Sequence, residues 1–235
     1  MHVAHYTNSD RISVALDCII FGFDQEGLQL LLVRRSLEPE KGKWSLMGDF
    51  LRRDESLDAA AQRILHQFTG LRNVYLEQLQ TFGAVDRDPV ERTISVAYSS
   101  LINIRQHSEE LIEKFGAQWF SVKKIPPLIF DHTRMVQTAR DQLRFRASHR
   151  PIGFELLPDK FTMPELQRLY EAIYDTTLDK RNFQRRILTM DILERLDEKQ
   201  RETSKKGAFY YRFNQEKYQQ TVKEGLRLVF KPKAF

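Results

Sequence analysis

Cysteine is almost missing from this chain of 235 residues: there is one, Cys18. That excludes an internal disulfide and predicts a reducing compartment, the cytoplasm. Cys18 lies in the run "CIIFGF" and reads as a small buried hydrophobe. This run is the longest apolar stretch and is only strand-sized, so nothing in the chain predicts a membrane span. The opening "MHVAHYTNSD" lacks the charged and apolar regions of a signal peptide. The six histidines, at 2, 5, 66, 107, 132 and 149, show no zinc spacing. G-x-S-x-G, a P-loop, a dinucleotide glycine fingerprint and H-E-x-x-H are all missing. There is no internal repeat and no low-complexity segment.

What is present supports folded domains. Apolar residues make up 41% of the chain and include sixteen Phe, enough to bury a core. The length suits one large domain or two small ones. Net charge is +5 and unevenly spread. Residues 1–150 carry 20 Lys and Arg against 19 Asp and Glu, whereas 151–235 carry 17 against 13. Within the second half, 180–212 holds ten basic and five acidic residues, the footprint of a polyanion partner.

The first half mixes strands and helices. "RISVALDCIIFGF" and "LQLLLVRR" read as strands joined by the turn "DQEG"; "TISVAYSSLINI" and "AQWFSV" read as two more. A helix is expected from Ser56 to Phe68, capped by Ser56 and ended by Gly70, with Leu57, Ala61, Ile64, Leu65 and Phe68 on one face. A second is expected over 131–146, with Asp131 as its cap and Met135, Val136, Ala139 and Leu143 inward. Strands with two helices predict an α/β sandwich.

The second half opens on the Pro and Gly punctuation of "RPIGFELLPDKF", a linker. Thr162 and Glu165 then form a capping box, and Pro164 sits in the first turn. Leu166, Leu169, Tyr170 and Ile173 give one buried helical stripe. "YDTT" breaks it, and a further helix starts near Leu178 or Asp179 with Phe183 and Ile187 inward. Two helices around a tight turn make a helix-turn-helix, whose second helix reads DNA. Arg181, Asn182, Gln184 and Arg185 face away from the buried side and suit base edges. Lys180 and Arg186 suit phosphates. "MDILERLDE" and "GAFYYRF" predict a hairpin with Lys205 and Lys206 at its tip, which makes the unit a winged helix, with Arg212 assisting. A last helix is expected over 215–228, with Tyr218, Val222 and Leu226 inward.

Residues 44–71 resemble the Nudix hydrolase box, G-x5-E-x7-R-E-U-x-E-E-x-G-U, where U is bulky and apolar. The box glycine falls on Asp49, its first glutamate on Glu55, its arginine on Arg63 and its final pair on Gly70 and Leu71. "KWSLMG" is similar to the W-x-L-P-G that precedes the box. The three later glutamates of the box, at i, i+3 and i+4 on one helical face, gather Mg²⁺ in the hydrolases. Here those positions are Ile64, Gln67 and Phe68, so the frame remains without its ligands. The resemblance extends over nearly the whole chain to the Nudix-related transcriptional regulators, the NrtR-like family. It is carried by "DRDP" (86–89), "IFDH" (129–132), "LLPDKFTMPELQRLYEAI" and "LDKRNFQRR".

That resemblance implies a Nudix-like α/β/α sandwich over 1–150 that senses a small metabolite, and a winged helix over 151–235 that binds double-stranded operator DNA. It implies a homodimer; Ile64, Gln67 and Phe68 at the ligand positions predict no catalysis and no metal, and no cofactor is expected. Asp17, Trp44, Asp49, Phe50, Asp86 and Arg87 are the expected effector contacts, with the Trp44 ring under a sugar. Loss of the three glutamates favours a pentose such as L-arabinose, as in an arabinose-responsive, AraR-like branch, over ADP-ribose. Three rival readings stay open: a nucleoside-diphosphate (ADP-ribose) hydrolase with an accessory domain, an ADP-ribose-responsive regulator of NAD metabolism, and a constitutive DNA-binding protein whose first domain only dimerises.

Overall fold

The computed structural model of the protein describes residues 11–24, 27–72, 74–104, 115–149, 151–201 and 207–223. The first strand, β1 (Ser13–Asp24), sorts its side chains by alternation. Leu16, Cys18 and Ile20 enter one apolar cluster, and Ile19 and Phe21 another on the opposite face. β1 pairs antiparallel with β2 (Gly27–Arg34). Next in the chain come β3 (Trp44–Ser45) and β4 (Met47–Phe50). β5 (Glu77–Phe82), β6 (Thr93–Asn103) and β7 (Ala117–Ser121) follow. The seven-stranded sheet runs β3-β2-β1-β6-β5, with β4 against β1 and β7 against β2. Only the β1–β6 pair is parallel among these named strands.

Two helices cover the sheet, as the sandwich expectation requires. α1 (Leu57–Thr69) starts at Ser56, whose hydroxyl accepts the Ala59 N–H, and ends at Gly70 with φ 72°. Its buried face is Ala60, Ala61, Ile64, Leu65 and Thr69, with Leu57 and Phe68 packed at the margin. α2 (His132–His149) covers the other face through Met135, Val136, Ala139, Leu143 and Ala147. It runs three residues beyond the expected end. Asp131 is not its side-chain cap. The Asp131 carbonyl accepts the Met135 N–H, and its carboxylate is taken by Arg87.

Beyond a short 3-10 turn (Phe154–Leu156), a second lobe holds β8 (Phe161–Thr162), α3 (Met163–Tyr174), α4 (Lys180–Thr189), β9 (Leu193–Gln200), β10 (Ala208–Phe213) and α5 (Gln215–Lys223). The strands form an antiparallel sheet in the order β8-β10-β9, giving a winged helix. The capping box of Thr162 and Glu165 is formed. The Asp179 side chain caps α4 by accepting the Asn182 N–H at 2.8 Å. Tyr218 of α5 packs on Phe213, with ring centroids 5.3 Å apart. The inward side chains expected at Val222 and Leu226 lie outside what is described.

One apolar cluster runs through both lobes, from Phe21 and Leu143 to Leu169, Tyr170, Ile173, Phe183 and Ile187. The Tyr170 hydroxyl accepts the Ile152 N–H at 3.2 Å, tying the connecting segment to α3.

Candidate functional site

The two short stretches "DRDP" and "IFDH" meet inside the first lobe. Arg87 donates from Nε and Nη2 to the two carboxylate oxygens of Asp131, at 3.1 and 2.9 Å. Its Nη2 also lies 3.7 Å from Asp17. Asp17 accepts the Ser95 hydroxyl at 2.6 Å and faces His132 Nε2 at 3.5 Å. His132 Nδ1 accepts the Leu46 N–H at 3.1 Å, so the ring proton belongs on Nε2, towards Asp17. Burial holds the His132 pKa below its ordinary value against the pull of Asp17 and Asp131, leaving the ring neutral at neutral pH. Gly48 lies opposite Asp17 across β4 and β1. A β-carbon there would come within 2.3 Å of the Asp17 carboxylate, which is why this position takes glycine. Five segments are thus tied at one buried centre.

Beside this centre stands the frame of the Nudix-like box. Arg63 donates to both oxygens of Glu55 at 2.7 and 2.9 Å, to Asp49 at 2.7 Å and to the Phe50 carbonyl at 3.0 Å. The bond from Arg63 holds the Glu55 carboxyl well below the usual range, at about 2. The loop is therefore pinned to α1 by the Glu55–Arg63 pair. The three metal-ligand positions do not fit Mg²⁺. Ile64 is fully buried, Phe68 packs on the α1 side of the core, and Gln67 is exposed but uncharged. Mg²⁺ needs anionic oxygens to replace its water. Among the described residues, no group of three or more His, Cys, Asp or Glu is placed to hold a metal ion.

The expected effector contacts fall into separate environments. Asp17 and Arg87 are brought together, but as members of the buried network, 5% and 6% exposed. Their polar atoms are engaged with Ser95, His132 and Asp131. Trp44 is not an open platform either. The Arg34 guanidinium covers its face at 3.8 Å, and Phe120 meets it edge-on at 4.6 Å. Asp49 belongs to the box frame through Arg63, whereas Phe50 is exposed. Asp86 is exposed on the loop that holds Arg87. Asp131 and Ser95 were missed as site members, because nothing local in sequence pairs them with Asp17 or Arg87.

The second lobe presents α4. Burial of Phe183 and Ile187 leaves Lys180, Arg181, Asn182, Arg185 and Arg186 exposed and Gln184 half-exposed. Arg185 donates to the Asn182 side chain at 3.0 Å, joining two of the expected base-reading groups. Arg212 is exposed on β10, in register with Glu194 of β9. Lys205 and Lys206, expected at the wing tip, lie outside the described residues.

Comparison with known proteins follows the same division. The NUDIX domain family matches residues 12–141, and the NrtR DNA-binding winged helix domain matches residues 153–213. The ADPR responsive transcriptional repressor NtrR of Acinetobacter baylyi is 34% identical over 222 residues, 92% of this chain and 88% of that protein. This chain belongs to the NrtR family. The crystal structure of Shewanella oneidensis NrtR complexed with a 27mer DNA matches with a TM-score of 0.77 at 28% identity, covering 92% of this chain and 97% of that one. The NUDIX domain of Shewanella oneidensis NrtR complexed with ADP ribose matches with a TM-score of 0.51 at 28% identity, covering 60% of this chain and 94% of that one. None of these NrtR relatives supports the pentose expectation; two are named for ADP-ribose. No helix among the described residues is long and apolar enough to cross a membrane.

Proposed function

We propose that this NrtR-family chain is a non-hydrolysing transcriptional regulator. Residues 1–150 bind ADP-ribose or a close nucleoside diphosphate, and residues 151–235 bind operator DNA. The observation that carries this reading is a retained Arg63–Glu55–Asp49 frame with Ile64, Gln67 and Phe68 where metal ligands belong, on the same chain as an exposed Arg, Asn and Gln face on α4. The DNA-bound and ADP-ribose-bound relatives support the two partners. The missing glutamates, which favoured a neutral sugar, fit a diphosphate as well. Three carboxylates repel a diphosphate unless a metal stands between them. Without them the loop entering α1 presents Arg52 and Arg53, both exposed, beside Asp54.

In this reading Arg181, Asn182, Gln184 and Arg185 address base edges, while Lys180, Arg186, Lys205, Lys206 and Arg212 address phosphates. A homodimer supplies two recognition helices for two half-sites. The cytoplasm, where the DNA is, is the working compartment. Selection of bound duplexes from a random pool by the purified full chain tests the DNA assignment. An enriched two-half-site sequence is expected; a pool that stays random contradicts it.

A further inference from the structure

Asp175 ends α3 in the left-handed region, at φ 55°, and opens the turn that leads to α4. Three cations of the first lobe converge on its carboxylate. Lys123 Nζ lies 3.6 Å from one oxygen; Arg140 and Arg144 lie 3.8 and 4.0 Å from the other. These are charge contacts at lengths beyond hydrogen bonding. Lys123 follows β7, and the two arginines stand one turn apart on α2. Arg144 also donates to the Ile173 carbonyl at 3.1 Å, so α2 holds both the last turn of α3 and the residue that ends it.

Helix termination does not require this charge. Asparagine and glycine occupy left-handed helix ends at least as well. What the carboxylate adds is compensation across the lobes. Like charges four apart on a helix repel, and partial burial together with Arg144 already pulls the Arg140 pKa down. The contact borders an open cleft of about 390 Å³ lined by Lys123 and Val122 on one side and Glu171, Asp175 and Thr176 on the other. Its surroundings are therefore open to water and its strength is modest. At the other end of α2, roughly 18 Å away at 1.5 Å per residue, His132 and Asp131 belong to the buried network of the sensing lobe.

We propose that Asp175 is the positioning residue that couples the two lobes: its charge docks the turn of the helix-turn-helix on α2, so that displacement of α2 by effector is passed to α4. The inference rests on the regulatory reading above. The test is the ratio of operator affinities without and with ADP-ribose, measured on full-length wild type, Asp175→Asn and Lys123→Gln. ADP-ribose affinity of the DNA-free proteins is measured alongside.

Asparagine keeps the left-handed geometry, so Asp175→Asn removes only charge. Its ratio is expected to fall below about a third of the wild-type value, out of the roughly 5–150-fold typical of site-to-site coupling. Lys123→Gln, at an exposed position, should lower the ratio less. The wild-type ratio should shrink with added KCl, since screening acts within about 10 Å at 0.1 M, and that of Asp175→Asn should change little. A variant ratio equal to wild type overturns the inference while leaving the function intact. Loss of ADP-ribose affinity in DNA-free Asp175→Asn places the residue in the effector site and overturns the positioning role. A wild type indifferent to ADP-ribose overturns both readings.

Discussion

Arg87 and Asp131 stand 44 residues apart in sequence and meet through two parallel hydrogen bonds beneath the surface. This pair fixes the "DRDP" loop to the start of α2, and through α2 it reaches the contact with α3. Arg87→Met would leave Asp17 and Asp131 without their shared cation. Stranding a buried charge typically costs about 3–5 kcal/mol, so the urea midpoint should fall with an unchanged slope. Loss of less than about 1 kcal/mol would show that the pair is not what holds this junction.

His132 gives the first lobe a pH dependence. Its folded pKa lies below the ordinary 6.5 because burial disfavours the charged ring. The unfolded ring therefore takes the proton first, and stability is full above about pH 6.5 and falls as pH drops below it. Protonation would also need Nδ1, which is occupied by the Leu46 N–H. Glu55 acts elsewhere on the scale. Its carboxyl is lowered from 4.5 to about 2, so its contribution is present above 4.5 and lost only as pH falls towards 2. Melting temperatures between pH 5 and 7.5 should slope downward into acid for wild type and be flatter for His132→Gln. Equal slopes would contradict the assignment.

Catalysis should be absent. With ADP-ribose and Mg²⁺, the purified chain should release no AMP, and Gln67→Glu should not create activity, since Ile64 and Phe68 still face the core. Metal-dependent turnover near ~1 s⁻¹, the low end of ordinary enzymes, would establish a surviving hydrolase.

Base-reading and phosphate contacts should separate by substitution. Arg185→Ala should cost about 1–3 kcal/mol on the selected operator and relax preference at one base pair. Arg212→Ala should weaken binding to all duplexes alike and flatten the salt slope by about one unit. If Arg185→Ala behaves as Arg212→Ala does, α4 does not read bases.

Local rules made much of this legible. Ser56 and Gly70 bound α1, Thr162 with Glu165 starts α3, and Phe183 with Ile187 sets which side of α4 is exposed; each depends on residues within two turns. β3, β4 and β8 escape the sequence reading because strands of two to four residues have too little periodicity. β5, "EQLQTF", was missed because it is a largely exposed edge strand. The buried centre was only half legible. The sequence singles out Asp17 and Arg87, whereas the residues they meet, Ser95, Asp131 and His132, arrive from β6 and the start of α2 through tertiary folding. Asp175 with Lys123, Arg140 and Arg144 left no sequence signal, because charge pairs across lobes have no fixed spacing.

The central claim is that a metabolite bound in the first lobe alters DNA binding by the second. It is tested most directly by titrating the operator complex with ADP-ribose at fixed salt, alongside L-arabinose. ADP-ribose is predicted to change operator affinity roughly 5–150-fold, and by linkage operator DNA must change ADP-ribose affinity by the same factor. L-Arabinose is predicted to do neither. Tight ADP-ribose binding that leaves operator affinity unchanged would contradict the account, however well the winged helix binds DNA.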